Sequence, residues 1–361
     1  MIKVFFDHQK FSSQLYGGIS RYFANIIQSI KSRKDFDSQL GVLYSQNHYL
    51  TDSNLLGPVN KILKNENYCY QLNKLYCNFL LKKGDFDVFH PTYYDTYFLK
   101  RTKKPVVVTI HDMTYERLPA YFWAKDPLTY FKRLNIERAD HIIAISETTK
   151  NDLIRYSNVD ESKISVIYHG IDFKSPFVTR PIESLPANYL LFVGDRSGYK
   201  NFYLFINAFK KLSESYPELN VVLTGGGVLD IAEIELIKRL NLEDKVKHTN
   251  ATDEELNFLY QNATAFIYPS LHEGFVLPIL EAFTAKCPVV LSDTDCFREI
   301  ASEAALYFDP YSSDELISKL DKIVRSEDLR ATLVHGGTER LKNFPLDKSI
   351  NATLEVYKKI V

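Results

Sequence analysis

Two carboxylates, Glu273 and Glu281, stand in the otherwise apolar stretch LHEGFVLPILEAF (271–283) with seven residues between them. Burying an unpaired ionised group costs several kcal/mol, about the strength of a whole side chain's apolar burial, so each carboxylate must face water or a polar partner. Pro278 suits the first turn of a helix. Gly274, Phe275, Val276 and Leu277 then form a loop whose amides open onto that helix, with Glu273 ahead of the loop and Glu281 about one turn inside. Both can look into one cavity at the end of the preceding apolar run. Two plainer readings compete. Ser270 and Glu273 fit an S-x-x-E capping box, although Gly274 and Pro278 oppose a helix running through them. Glu281 can also be an exposed first-turn acid, although Ile279, Leu280, Ala282 and Phe283 surround it with apolar residues.

A second group lies in VGDRSGYKN (193–201). A strand, a loop and a helix start in that order leave free amides and the positive end of the helix dipole at one spot, and Arg196 and Lys200 add two cations. The set suits a diphosphate; a turn with solvated charges fits equally. The spacing is not that of a P-loop, and no G-x-G-x-x-G fingerprint occurs. TGGG (224–227) reads as a tight turn, and DTD (293–295) as an ordinary turn after a strand. In YGGISR (16–21), Gly17 and Gly18 allow a close backbone approach, or simply a turn before a helix. In VVVTIHDMTY (106–115), His111 and Asp112 fall at the carboxyl end of a buried strand, where open parallel sheets bind ligands; Asp112 can instead cap the next helix.

These residues need elements to hold them. Apolar runs at 3–7, 106–110, 141–146, 189–194, 220–225, 265–270 and 288–293 read as strands buried on both faces, alternating with segments of helical period. Ile19, Tyr22, Phe23, Ile26, Ile27 and Ile30 make one helical face, and Phe202, Phe205, Ile206, Phe209 and Leu212 another. The pattern predicts an α/β protein of two parallel-sheet domains, 1–172 and 173–345, with a closing helix over 346–361. The linker is placed in the proline-interrupted stretch 173–189. A chain of 361 residues agrees with two domains.

Composition narrows the partners. The hydrophobic share of 45% and charged share of 25% are those of a soluble globular chain. Residues 1–172 carry 23 Lys/Arg against 18 Asp/Glu and the remainder 21 against 27, so the two parts are +5 and −6. That imbalance is too small for nucleic acid but suits an anionic ligand or membrane surface. Cys69, Cys77, Cys287 and Cys296 have no metal-ligand spacing and read as reduced thiols. The N-terminus shows no signal-peptide pattern and no run reaches a membrane span, so a cytoplasmic protein is expected. The basic, aromatic segment 59–85, with Lys61, Lys64, Lys74, Lys82 and Lys83, suits either an ordinary helix or a peripheral contact with an anionic membrane.

HEGFVLPILEAF, preceded by FIYPS and followed by KCPVVLSD, resembles the E-x(7)-E motif of retaining GT-B glycosyltransferases of family 4. YLLFVGDRSGYKNF, RADHIIAISETTKNDL, VIYHGID and EAALYFDP are similar to further segments of that family. The resemblance implies two Rossmann-like domains facing an interdomain cleft, the nucleotide-sugar donor on the C-terminal domain, the acceptor on the N-terminal one, and a final helix crossing back. It implies that Lys200 and Arg196 hold the donor diphosphate, Glu281 the ribose and Glu273 the hydroxyls of the transferred sugar. Gly17 and Gly18 then approach the phosphates, loop residues 274–277 complete the donor site, and His111 stands by the reacting sugar. Neither a cofactor nor a metal is implied. Val276 departs from the family's usual Gly, and Tyr199 from the usual Arg before the lysine. TIHDMTY is most similar to mannosyltransferases, which makes GDP-mannose the first donor expectation, with a glycan or lipid-linked glycan acceptor in surface polysaccharide synthesis. An epimerase or phosphorylase on the same fold, and a silent binding protein, are the alternatives.

Overall fold

The computed structural model describes residues 1–50, 65–172 and 177–361. Lys61 and Lys64 of the basic segment and Pro176 of the linker lie outside the described residues. The chain forms two compact units, Met1–His169 with Leu346–Val361, and Gly170–Pro345.

In the first unit, strands β1 (Ile2–Phe6), β2 (Phe36–Leu40), β3 (Val88–His90), β4 (Val107–Ile110), β5 (His141–Ala144) and β6 (Ile164–Val166) pair in the orders β2-β1-β3 and β4-β5-β6, all in parallel. A parallel bridge between Phe89 and Val106 joins the two sets. The helix Gly18–Lys31 lays Tyr22, Phe23, Ile26, Ile27 and Ile30 on one side of this sheet. The final helix, Leu346–Ile360, adds Ile350, Leu354, Val356 and Tyr357 to the same core, directly after Pro345.

In the second unit, β7 (Tyr189–Val193), β8 (Asn220–Thr224), β9 (Val246–Thr249), β10 (Ala265–Tyr268), β11 (Val289–Ser292) and β12 (Leu306–Phe308) form a parallel sheet of order β12-β11-β10-β7-β8-β9. The helix Phe202–Ser215 buries Phe202, Phe205, Ile206, Phe209 and Leu212 against it, each contributing about 1.5–3 kcal/mol of transfer free energy. The order reverses between β7 and β10. That reversal splays the connections leaving those two strands and opens a crevice at their carboxyl ends.

Five of these strands, β2, β3, β6, β9 and β12, lie outside the apolar runs. Four of them are sheet edges with half-exposed residues, as in FDSQL and VKHT, so one side of the ladder faces solvent and polar residues are tolerated.

Candidate active site

The segments leaving β7 and β10 build the crevice of the second unit. After β7 the chain makes a short 3-10 turn, Gly198–Lys200, and Asn201 takes a left-handed backbone (φ 60°), which asparagine tolerates better than most side chains. Asn201 also donates its Nδ2 to the Pro310 carbonyl at 2.7 Å. The turn is docked on the segment after β10, with Leu271 N donating to the Tyr199 carbonyl at 2.8 Å.

This docking brings Lys200 to Glu273. Lys200 Nζ donates to Glu273 Oε1 at 2.6 Å and to Tyr268 OH at 3.2 Å, and Ser270 Oγ donates to the same Glu273 oxygen at 2.6 Å. Burial works against the ammonium, but the charge of Glu273 outweighs it and holds Lys200 well above the ordinary lysine value. Two of the three Nζ hydrogens are thereby used, leaving one for an incoming oxygen. The bonds from Lys200 and Ser270 both land on Glu273 Oε1, so Oε2 keeps lone pairs that can receive a hydroxyl. Ser270 thus acts on the Glu273 side chain rather than as a helix cap. The helix itself, Leu277–Thr284, starts after Val276 with Pro278 in its first turn and no side-chain cap; Pro278 has no N–H and Ile279 N donates to the Val276 carbonyl at 3.1 Å, which leaves the Leu277 amide to meet a ligand. Gly274 and Val276 are buried, Phe275 and Leu277 half-buried. Val276 is extended (φ −120°), a conformation natural to a β-branched residue. Glu281 lies in the second turn, where Tyr260 OH donates to its Oε2 at 3.3 Å.

Arg196 is placed otherwise than its sequence position suggests. Its Nε donates to Glu233 at 2.8 Å, one terminal nitrogen to the Gly225 carbonyl at 2.7 Å, and the other to the carbonyls of Gly227 and Val228 at 3.0 and 3.1 Å. The guanidinium is buried and every nitrogen is committed to its own unit, so it serves the fold and not a diphosphate. Gly225, Gly226 and Gly227 are all left-handed, and a Cβ on Gly226 would stand 2.8 Å from the Gly194 carbonyl oxygen and 2.9 Å from the Arg196 guanidinium. The TGGG turn is therefore a cradle for Arg196.

In the first unit, His111 follows β4. It is buried beside Tyr22, Phe23 and His169, and its Nδ1 has no hydrogen-bond partner among the described residues. Burial, reinforced by His169, holds it well below the ordinary imidazole value, hence neutral. Asp112 Oδ1 accepts from Thr114 N at 2.9 Å, the turn-capping role. Gly18 is exposed as the first residue of its helix, and Gly17 precedes it in extended backbone. A side chain at Gly17 would collide with Gln14, whose Oε1 caps Ser20 N.

Residues 16–175 match the family model described as Glycosyltransferase Family 4, and residues 180–340 the model described as Glycosyl transferases group 1. The chain belongs to the family-4 glycosyltransferases. An O-antigen chain mannosyltransferase of Salmonella typhimurium is 32% identical over 222 residues, a match that spans 61% of this glycosyltransferase and 61% of the relative. The O-antigen chain mannosyltransferase B of Escherichia coli is 27% identical over 288 residues, 75% of this chain and 74% of its own. Among solved structures, Anabaena HepE in complex with UDP-glucose is similar at a TM-score of 0.77 and 16% identity, over 99% of this chain and 100% of that one. Sucrose-phosphate synthase of Thermosynechococcus elongatus is similar at 0.75 and 17%, over 99% of both chains. The fold of the glycosyltransferase is GT-B.

Beyond the residues singled out by sequence, the site depends on Tyr268, Tyr260 and Glu233. Tyr268 ends an apolar run and reads as core. Glu233 closes a capping box with Asp230, a local signal that hides its second task of holding Arg196.

Proposed function

We propose that the chain is a retaining hexosyltransferase that moves a sugar from a nucleotide-sugar donor, GDP-mannose first, to a glycan acceptor in surface polysaccharide or lipid-linked glycan synthesis, without a metal or other cofactor. The observation that carries this reading is the Lys200–Glu273 pair, seated on Tyr268 and Ser270 at the point where the sheet order reverses. One ammonium hydrogen is left for a phosphate oxygen and one carboxylate oxygen for a sugar hydroxyl, so a single pair can hold both sides of the bond that breaks.

The acceptor hydroxyl attacks the anomeric carbon from the face that the diphosphate leaves, and the departing phosphate oxygen takes the hydroxyl proton. Negative charge grows on that oxygen, and Lys200 with the Leu277 amide at the helix start offsets it. Glu281 is assigned to the donor ribose, Gly17 and Gly18 to the approach of the phosphates, and neutral His111 to a hydroxyl near the reacting carbon. The mannosyl relatives support the donor sugar, and the UDP-glucose bound to HepE supports a nucleotide-sugar donor. No helix among the described residues is long and apolar enough to cross a membrane. We place the chain in the cytoplasm, at the membrane's inner face. Support comes from Tyr68, Leu75 and Phe79, spaced seven and four apart on the helix Glu66–Lys83 and largely exposed, with Lys82 and Lys83 at its end.

Calorimetric titration with GDP-mannose and with UDP, ADP, CMP and dTDP sugars tests the reading. Binding of GDP-mannose is expected, with Lys200→Ala weakening it. If none of the sugars binds, the proposed function is wrong; tighter binding of another keeps the transferase and replaces mannose.

A further inference from the structure

The carboxyl ends of β1, β3 and β4 carry a polar locus that adjoins His111 and holds two further charged residues, Asp7 and Lys10, to which the donor chemistry gives no role. Asp7, the first residue after β1, is buried and accepts from Thr92 N at 2.8 Å, Thr92 Oγ1 at 2.7 Å, Gln9 Nε2 at 2.7 Å and Tyr97 OH at 3.1 Å. It fastens the loop after β1 to the loop after β3. Thr92 Oγ1 in turn accepts from Lys10 N at 3.1 Å, which fixes where the Lys10 side chain begins.

Lys10 Nζ lies 3.5 Å from the centre of the Tyr93 ring. Among the described residues it makes no hydrogen bond. Burial draws its pKa down to about 8, with Asp112 opposing, and its charge is felt at His111. The Tyr93 ring lies 4.4 Å from that of Tyr94, whose OH accepts from His111 N at 3.0 Å, so Lys10, Tyr93, His111 and the adjoining Asp112 share one locus. Its two unsatisfied groups are an ammonium with three donors and the buried Nδ1 of His111. A desolvated ammonium gains most from an anionic oxygen, because charge-assisted hydrogen bonds are about twice as strong as neutral ones.

We infer that Lys10, presented from the face of Tyr93 beside His111, binds a phosphate group of the acceptor and so selects acceptors that carry one. The inference rests on the transferase reading above and adds the chemistry of the acceptor to it. The phosphate can belong to a lipid diphosphate carrier or to a water-soluble phosphorylated glycan.

The test is protection of Lys10 from acetic anhydride in the full chain, read by peptide mass spectrometry against the exposed Lys286. Geranyl diphosphate, inorganic pyrophosphate and glucuronate are the probes. Labelling of Lys10 is expected to fall by about threefold when a phosphate probe stands at twice its dissociation constant, since about a third of the sites then remain empty. Protection by geranyl diphosphate well beyond pyrophosphate supports the inference with a lipid-linked source; equal protection supports it with a soluble one. Absence of protection by both, or equal protection by glucuronate, overturns it. The experiment is repeated in Lys200→Ala. Protection that survives there supports the inference, and protection that disappears overturns it, because the anion was then held at the donor locus. Failure of the nucleotide-sugar titration leaves this labelling result standing, so the two readings fall separately.

Discussion

Lys200→Ala removes the cation from a pair whose atoms lie 2.6 Å apart and whose side chains are only 13% and 12% exposed. At an effective dielectric of about 20 the attraction is roughly 6 kcal/mol. Desolvation of both partners cancels much of it, and the part that shows on breaking a buried pair is about 3 kcal/mol, because the remaining carboxylate is stranded. The thermal midpoint of the second unit should then fall by about 6–12 °C. Sugar transfer should fall by about 10²–10³-fold, the usual consequence of deleting one preorganised group that meets developing charge. The double variant Lys200→Met/Glu273→Gln separates the two effects. It removes the stranded charge, so it should regain most of the lost stability while transfer stays at the single variant's level. Scanning calorimetry gives the first quantity, and nucleotide release from the donor found by titration gives the second. Transfer within threefold of the parent in Lys200→Ala would refute the site. Simple additivity of the two stability losses would refute the reasoning about the pair.

Arg196→Met should act on the fold, lowering stability by about 3–5 kcal/mol through the stranded Glu233 carboxylate and the unsatisfied loop carbonyls; Glu233→Gln in the same chain should recover part of it. A folded Arg196→Met protein with selectively lost donor affinity in calorimetry would return Arg196 to the diphosphate. The first unit should lose stability on mild acidification. Burial pushes His8, His90 and His169 down to about 3, so between pH 6.5 and 3 the unfolded chain binds more protons than the folded one. Stability is then fully present above pH 6.5 and falls with pH by about 1.4 kcal/mol per pH unit for each histidine. Asp7, raised by burial, opposes this once the folded chain begins to take up its proton ahead of the unfolded one. Urea unfolding followed at several pH values checks the slope, and His90→Gln should reduce it by one histidine's share; an unchanged slope contradicts the assignment.

The amino-acid order by itself determined the alternation of strands and helices, because a strand covered on both faces must be an uninterrupted apolar run and a covering helix must repeat its apolar residues every three to four positions. It also placed Pro278 in a first helical turn and Lys200 at the end of a βα loop, since both follow from local backbone rules. It did not reveal β2, β6 and β9, whose half-exposed edge positions carry little continuous apolar signal, nor β3 and β12, which are only three residues long. Nor did it decide where the charged side chains go. Arg196 and Lys200 sit four residues apart in one loop with the same apparent prospects. Only the folded sheet brings the carbonyls of Gly225–Val228 and the Glu233 carboxylate to the first, and Glu273 with Tyr268 to the second. The destination of a long cationic side chain is set by partners about thirty to seventy positions away in the chain, and no local spacing encodes them.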